Sequence, residues 1–136
     1  MEKVDLSLCK YEALEPADTH AFTFTEGSRN AVKAFAQHIE TLQVSGKWYG
    51  KGNVLLLLDA QSALGLPIRY LFEIISDYNR AYPDLEPPRI KMAFVRSADM
   101  VVLDIYHMMA ELFEPPLTVQ FFTESDRAER WLTGGS

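Results

Sequence analysis

An unbroken apolar run, Val54-Leu55-Leu56-Leu57-Leu58, set between Asn53 and Asp59, constrains this chain more than any other feature. Successive side chains of a strand point to opposite faces. A run without a polar residue makes both faces apolar. It therefore predicts a strand covered on both sides, in the middle of a parallel sheet. Asp59 closes the strand. Gly65 and Pro67 then lead into an amphipathic stretch, and proline is well tolerated in the first turn of a helix. The result is a βα unit, and the same pattern recurs downstream.

The rest of the chain fits around that unit. Val4, Leu6 and Leu8 alternate with Asp5, Ser7 and Cys9, which predicts a strand with one buried face. Glu15-Pro16-Ala17-Asp18 reads as a turn. Phe22 and Phe24 alternate with Thr23 and Thr25 in a second strand, close enough to the first for an antiparallel hairpin. Ser28 is placed to cap a helix carrying Val32, Phe35, Ala36, Ile39 and Leu42, with Gly46 as its stop. The helix after Pro67 carries Ile68, Leu71, Phe72, Ile75, Tyr78 and Tyr82 on its inner face, with Tyr70 and Ile74 at the flank. Pro83 ends it. Ile90 to Val95 predicts another strand, and a helix from Ser97 to about Phe113 follows. Leu117 to Phe122 suits a strand nearer the sheet edge. A short last helix, capped by Thr123, groups Ala128, Trp131 and Leu132 on one face. The order is ββαβαβαβα: one α/β domain with a mixed, mostly parallel sheet of about five strands and four helices.

Length and charge narrow the function classes. At 136 residues the chain suits one domain with one core. A formal net charge of −6 argues against a general nucleic-acid binder, which needs a basic face to neutralise phosphates. The lone cysteine, Cys9, allows no intramolecular disulfide, which fits a reducing compartment. The first residues lack the apolar core of a signal peptide, and no apolar run approaches the roughly 18 residues of a membrane span. The expectation is a soluble cytoplasmic protein.

Together with the central run, the closing segment Phe121-Phe122-Thr123-Glu124-Ser125-Asp126-Arg127-Ala128-Glu129-Arg130-Trp131-Leu132 resembles the STAS superfamily. The nearest likeness is to the SpoIIAA-like bacterial proteins grouped with STAS and CRAL-TRIO domains. Their last strand commonly runs into an acidic cap and an Ala-x-x-Trp-Leu helix, as Ala128 to Leu132 does here. The resemblance covers about Val4 to Leu132 and rests mostly on core pattern. It implies a non-enzymatic regulatory or protein-interaction module without a cofactor. One departure matters. Anti-sigma factor antagonists of this superfamily carry a phosphorylatable serine in an Asp-Ser-Ser-Gly-like turn before the second helix. Here that turn reads Ala63-Leu64-Gly65-Leu66-Pro67-Ile68, and Ser62 lies nearer the strand. The CRAL-TRIO side of the likeness implies a small hydrophobic ligand.

Candidate ligand-binding residues follow from position. Open α/β sheets bind at the carboxyl ends of their strands, which brings forward Asp59, Ser62 and Gly65. Arg96 and Ser97 lead a helix, whose free N–H groups and positive dipole end suit an anion. Each has a structural reading beside it: Asp59 as a loop cap, Ser97 as a plain helix cap, Arg96 as a solvated cation. A receiver-type phosphoacceptor role for Asp59 needs an acidic pair and a late lysine, which Leu14-Glu15 and Phe122-Thr123 do not provide. The string from Gly46 to Gly52 follows a helix and opens a strand, the reverse of a phosphate loop; Trp48 and Tyr49 read as folding back over a sheet edge. His107 with Glu111 falls short of the three or four ligands that zinc wants, so no metal site is expected. Cys9, off the apolar face of its expected strand, should be exposed, and no base marks it as a catalytic thiol.

The helix after Ser97 has an unusual outer side. Val102, Ile105, Tyr106, Met109, Leu112 and Phe113 form one arc. Met100, Leu103 and His107 lie opposite, either as scattered surface residues or as a patch facing a protein partner or a second copy of the chain. Two functions stay open: the regulatory interaction module, and a small-molecule binder for an apolar or anionic ligand held near Asp59 and Arg96.

Overall fold

The computed structural model describes residues 4–14, 19–48, 53–63, 65–80, 89–96 and 117–134. They form a sheet of five strands in sequential order: β1 (Cys9–Leu14), β2 (Thr19–Phe24), β3 (Asn53–Asp59), β4 (Arg89–Val95) and β5 (Leu117–Phe122). β1 runs antiparallel to β2, and every other pairing is parallel. The apolar run is thus the middle strand. Three α-helices are described: α1 (Arg29–Val44), α2 (Ile68–Arg80) and α3 (Ser125–Leu132). The helix expected from Ser97 to about Phe113 lies outside the described residues, and Ser97, Met100, Leu103 and His107 lie there with it.

The central strand feeds both faces of the sheet, as its composition requires. Val54, Leu56 and Leu58 enter the larger core with Phe22, Phe24, Ile90, Met92 and Phe94, under Val32, Phe35 and Ile39 of α1 and Leu71 and Ile75 of α2. Leu57, with Leu55 packed beside it, joins a smaller core with Ala93, Val95, Ala128 and Leu132 of α3. Lys91 is a charged residue in the middle of that second face of β4. Its ammonium donates to the Trp131 carbonyl at 2.5 Å and sits 4.5 Å above the Trp131 ring. A cation is thereby placed at a helix C-terminus, where the dipole favours it.

Local chemistry sets the helix ends. Ser28 Oγ accepts the Ala31 N–H at 3.1 Å, the expected N-cap of α1. At the other end Lys47 N–H donates to the Leu42 carbonyl and Gly46 N–H to that of Gln43, a Schellman closure. Gly46 sits at φ 79°, where a side chain would be strained. Trp48 then turns inward. It is 1% exposed and belongs to the larger core rather than folding over an edge.

Three further expectations are corrected. Val4 to Leu8 is not a strand: Asp5 accepts the Ser7 N–H at 3.0 Å and the Ser7 hydroxyl at 2.6 Å, and Leu6–Leu8 form a 3-10 turn. Local side-chain bonds of this kind compete with strand pairing. The strand therefore begins at Cys9 with its own phase, and Cys9 is fully buried rather than exposed. The last helix starts after Glu124, not Thr123. Glu124 pairs with Arg127 at 3.2 Å, while the Thr123 carbonyl is taken by Gln61.

Candidate functional site

The parallel strands end level with one another, and this rim gathers four of the five ligand-binding candidates. Asp59 stands opposite Val95 in the β3–β4 register. Ala60 N–H donates to the Val95 carbonyl at 2.8 Å, and Arg96 N–H to that of Phe122 at 2.8 Å. The two bonds extend the ladder by a residue and fix where Arg96 leaves β4.

Asp59 holds the loop that follows it. Its Oδ1 accepts the Gln61 N–H at 3.0 Å, an Asx-type turn, so its carboxylate caps its own loop. Gln61 then reaches outward. Its Nε2 donates to the Thr123 carbonyl at 3.0 Å, and since β4 lies between β3 and β5 the bond passes the end of β4 where Arg96 emerges. Two further turns follow, Ala63 N–H to the Ala60 carbonyl at 3.1 Å and Leu66 N–H to the Ala63 carbonyl at 3.0 Å. Ala60, Ala63 and Leu66 are buried, whereas Gln61, Ser62 and Gly65 are exposed. The loop is pinned from below and polar on top. Gly65 takes φ 87°, and a Cβ there would lie 4.0 Å from the Gly27 carbonyl oxygen. The rim thus continues towards the start of α1. There Ser28 Oγ donates to Glu26 Oε2 at 2.5 Å, and the Arg29 guanidinium covers the Tyr70 ring at 3.9 Å.

Asp59, Ser62, Gly65 and Arg96 therefore share one rim. Arg96 is half-buried and already engaged. Gln61, Arg29 and Tyr70 were not among the candidates. Their roles depend on contacts between distant segments, and nothing in their local sequence announces them.

A second polar group lies at the other side of the sheet. Tyr11 Oη and His20 Nδ1 share a hydrogen bond at 2.7 Å, and the Tyr11 ring stacks on those of His20 and His38 with centroids 5.8 Å away in each case. His38 Nε2 donates to the Cys9 carbonyl at 2.7 Å, which fixes a proton on that nitrogen. Burial pushes the Cys9 thiol up to about 12, and burial also raises Tyr11. A thiol held neutral is a poor nucleophile. Among the described residues no group of three or more His, Cys, Asp or Glu side chains is placed to hold a metal ion. No described helix is long and apolar enough to cross a membrane.

No protein-family profile, curated protein or solved structure matches this chain.

Proposed function

We propose that the protein is a non-enzymatic regulatory or protein-interaction module of STAS-like type, and that the rim loop around Gln61 and Ser62 forms part of its binding surface. One observation carries this reading. The loop is anchored by Asp59, by three buried residues and by the Gln61 bond to Thr123 just past β5, yet it turns Gln61, Ser62 and Gly65 to solvent. An ordered loop with an exposed polar crest loses little conformational freedom on binding a partner. The hairpin followed by parallel βα units, and the acidic Glu124 before a helix packing Ala128, Trp131 and Leu132, support the STAS-like assignment.

A small anionic ligand at Arg96 is the second reading, favoured by the position of Arg96 beside the loop. It would have to share an arginine that is already engaged. Native mass spectrometry of the protein purified from its host separates the two. Under the first reading a stoichiometric protein partner co-purifies, and Ser62→Arg releases it while leaving the melting temperature unchanged. A co-purified small molecule that leaves on Arg96→Ala favours the second. Turnover of any substrate that is abolished by Asp59→Asn would overturn both.

A further inference from the structure

Among the described residues β1 is the outer strand on its side of the sheet, and an outer strand turns half of its backbone groups away from its neighbour. Thr25 N–H donates to the Leu8 carbonyl at 3.0 Å, which continues the register that sets Cys9 opposite Phe24. Antiparallel ladders alternate between hydrogen-bonded and non-hydrogen-bonded pairs. Lys10, Glu12 and Leu14 therefore bond into β2, and Cys9, Tyr11 and Ala13 direct their backbone groups outward. At Cys9 both outward groups are taken from within the chain. Its N–H donates to the Leu6 carbonyl of the 3-10 turn. Its carbonyl accepts from His38 Nε2 at 2.7 Å. The turn is itself tied to the end of β2, where Thr25 Oγ1 shares its donor between the Ser7 and Leu8 carbonyls, each at 3.2 Å.

A carbonyl that points away from its own sheet is reached from beyond the edge. The His38 imidazole therefore occupies the place where the N–H of an added strand would come. Its ring is held there by stacking on Tyr11, with centroids 5.8 Å away, and by the tilted ring of Phe22 at 6.1 Å. We propose that His38 guards the β1 edge: it blocks a second copy of the chain from adding a strand there, both by its bulk and by occupying the Cys9 carbonyl. Cys9, fully buried behind the ring, is closed to pairing. The outward residues that remain are Tyr11 and Ala13, far short of the roughly 5–6 residues of a usual strand. A bare edge is a template for another chain, and covering it and keeping it short are two ways in which sheets prevent that. Charge alone does not close this edge. The charged residues of β1, Lys10 and Glu12, are of opposite sign and would attract across a symmetric antiparallel seam.

The test removes the guard and reads self-association by sedimentation equilibrium, with thermal melts confirming the fold. His38→Ala loses both the donor and the bulk, and should self-associate on the order of tenfold or more tightly than the parent. His38→Leu keeps bulk without the donor and should also exceed the parent; it is read in place of His38→Ala if that variant does not fold. His38→Gln retains a side-chain N–H donor and should behave as the parent does. Ser28→Ala, which weakens the start of the same helix, controls for lost stability. Ala13→Pro added to the associating His38 variant removes an outward N–H at a position where an edge strand tolerates proline, and should return association to the parent level. A folded His38→Ala that associates as the parent does overturns the proposal. So does a Ser28→Ala that associates as strongly at an equal folded fraction, a His38→Gln that associates like His38→Ala, or an added association that survives Ala13→Pro. Loss of cooperative melting in both His38→Ala and His38→Leu overturns it as well, because the contact would then hold the fold rather than close its edge.

Discussion

Cys9 shows how one position changes meaning with its surroundings. On an exposed strand it would be an oxidisable thiol; under α1 it is a small apolar core residue. Burial raises its pKa from the ordinary 9.0 to about 12 because the thiolate cannot be solvated there. The folded pKa lies above the unfolded one. The associated stability is therefore fully present below pH 9.0 and is lost as pH rises through about 12. Iodoacetamide at pH 8 should leave native Cys9 unmodified over a time in which the urea-unfolded chain reacts completely, as mass spectrometry would show. Equal rates would mean that the thiol is open to solvent. Cys9→Ala should flatten the alkaline limb of a stability-against-pH curve. Trp48 is a different case. Among the described residues its indole Nε1–H is a buried donor without a partner. Its ring belongs to the larger core, and burying roughly 150–250 Å² at about 25 cal/mol per Å² is worth about 4–6 kcal/mol, more than the roughly 1–3 kcal/mol of one unsatisfied group.

At the scale of an element, α1 is the clearest case of sequence writing its own boundaries. Its N-cap and its Schellman stop are both local: Ser28 reaches Ala31, and Gly46 and Lys47 reach back to Gln43 and Leu42. Ser28→Ala should cost about 1 kcal/mol in urea denaturation, the usual worth of a cap. Gly46→Ala should cost on the order of 1 kcal/mol for another reason, the left-handed φ of 79°, since nothing lies within 4 Å of where its Cβ would go. A neutral result at Gly46 would indicate that the turn relaxes. The β1 segment was less legible for an equally local reason. Period-two alternation from Val4 to Leu8 is a fair strand signal, but Asp5 two residues before Ser7 offers a competing turn, and pattern reading does not weigh one against the other. The one-residue change of phase moved Cys9 from solvent to core. The rim loop was legible in part. Asp59 and Gly65 stand out as a strand end and a turn glycine, whereas the Gln61 bridge to Thr123 spans segments that sequence reading has no means of bringing together.

For the whole molecule, β3 and its neighbour β4 each supply side chains to both cores. Leu56 is fully buried on the α1 and α2 side, with Leu57 on the α3 side. Leu56→Asp places a charge with no partner at the centre of the larger core and should abolish cooperative melting. Leu56→Ala should cost about 2–5 kcal/mol and keep the transition. A soluble Leu56→Asp protein with a parent-like melt would mean that β3 is not central. The sequence by itself determined the α/β class, the central strand, the caps of α1 and the parallel arrangement of the later strands. Each of these follows from hydrophobic period or from hydrogen bonds within a few residues, which act whatever the rest of the chain does. Tertiary structure alone decided the phase of β1, the burial of Cys9 and Trp48, the stacking of Tyr11 between His20 and His38, and the passage of Gln61 across the end of β4. Those depend on which surfaces meet when the sheet closes against its helices. Such meetings are set by the packing free energy of the whole core, which no window of neighbouring residues contains.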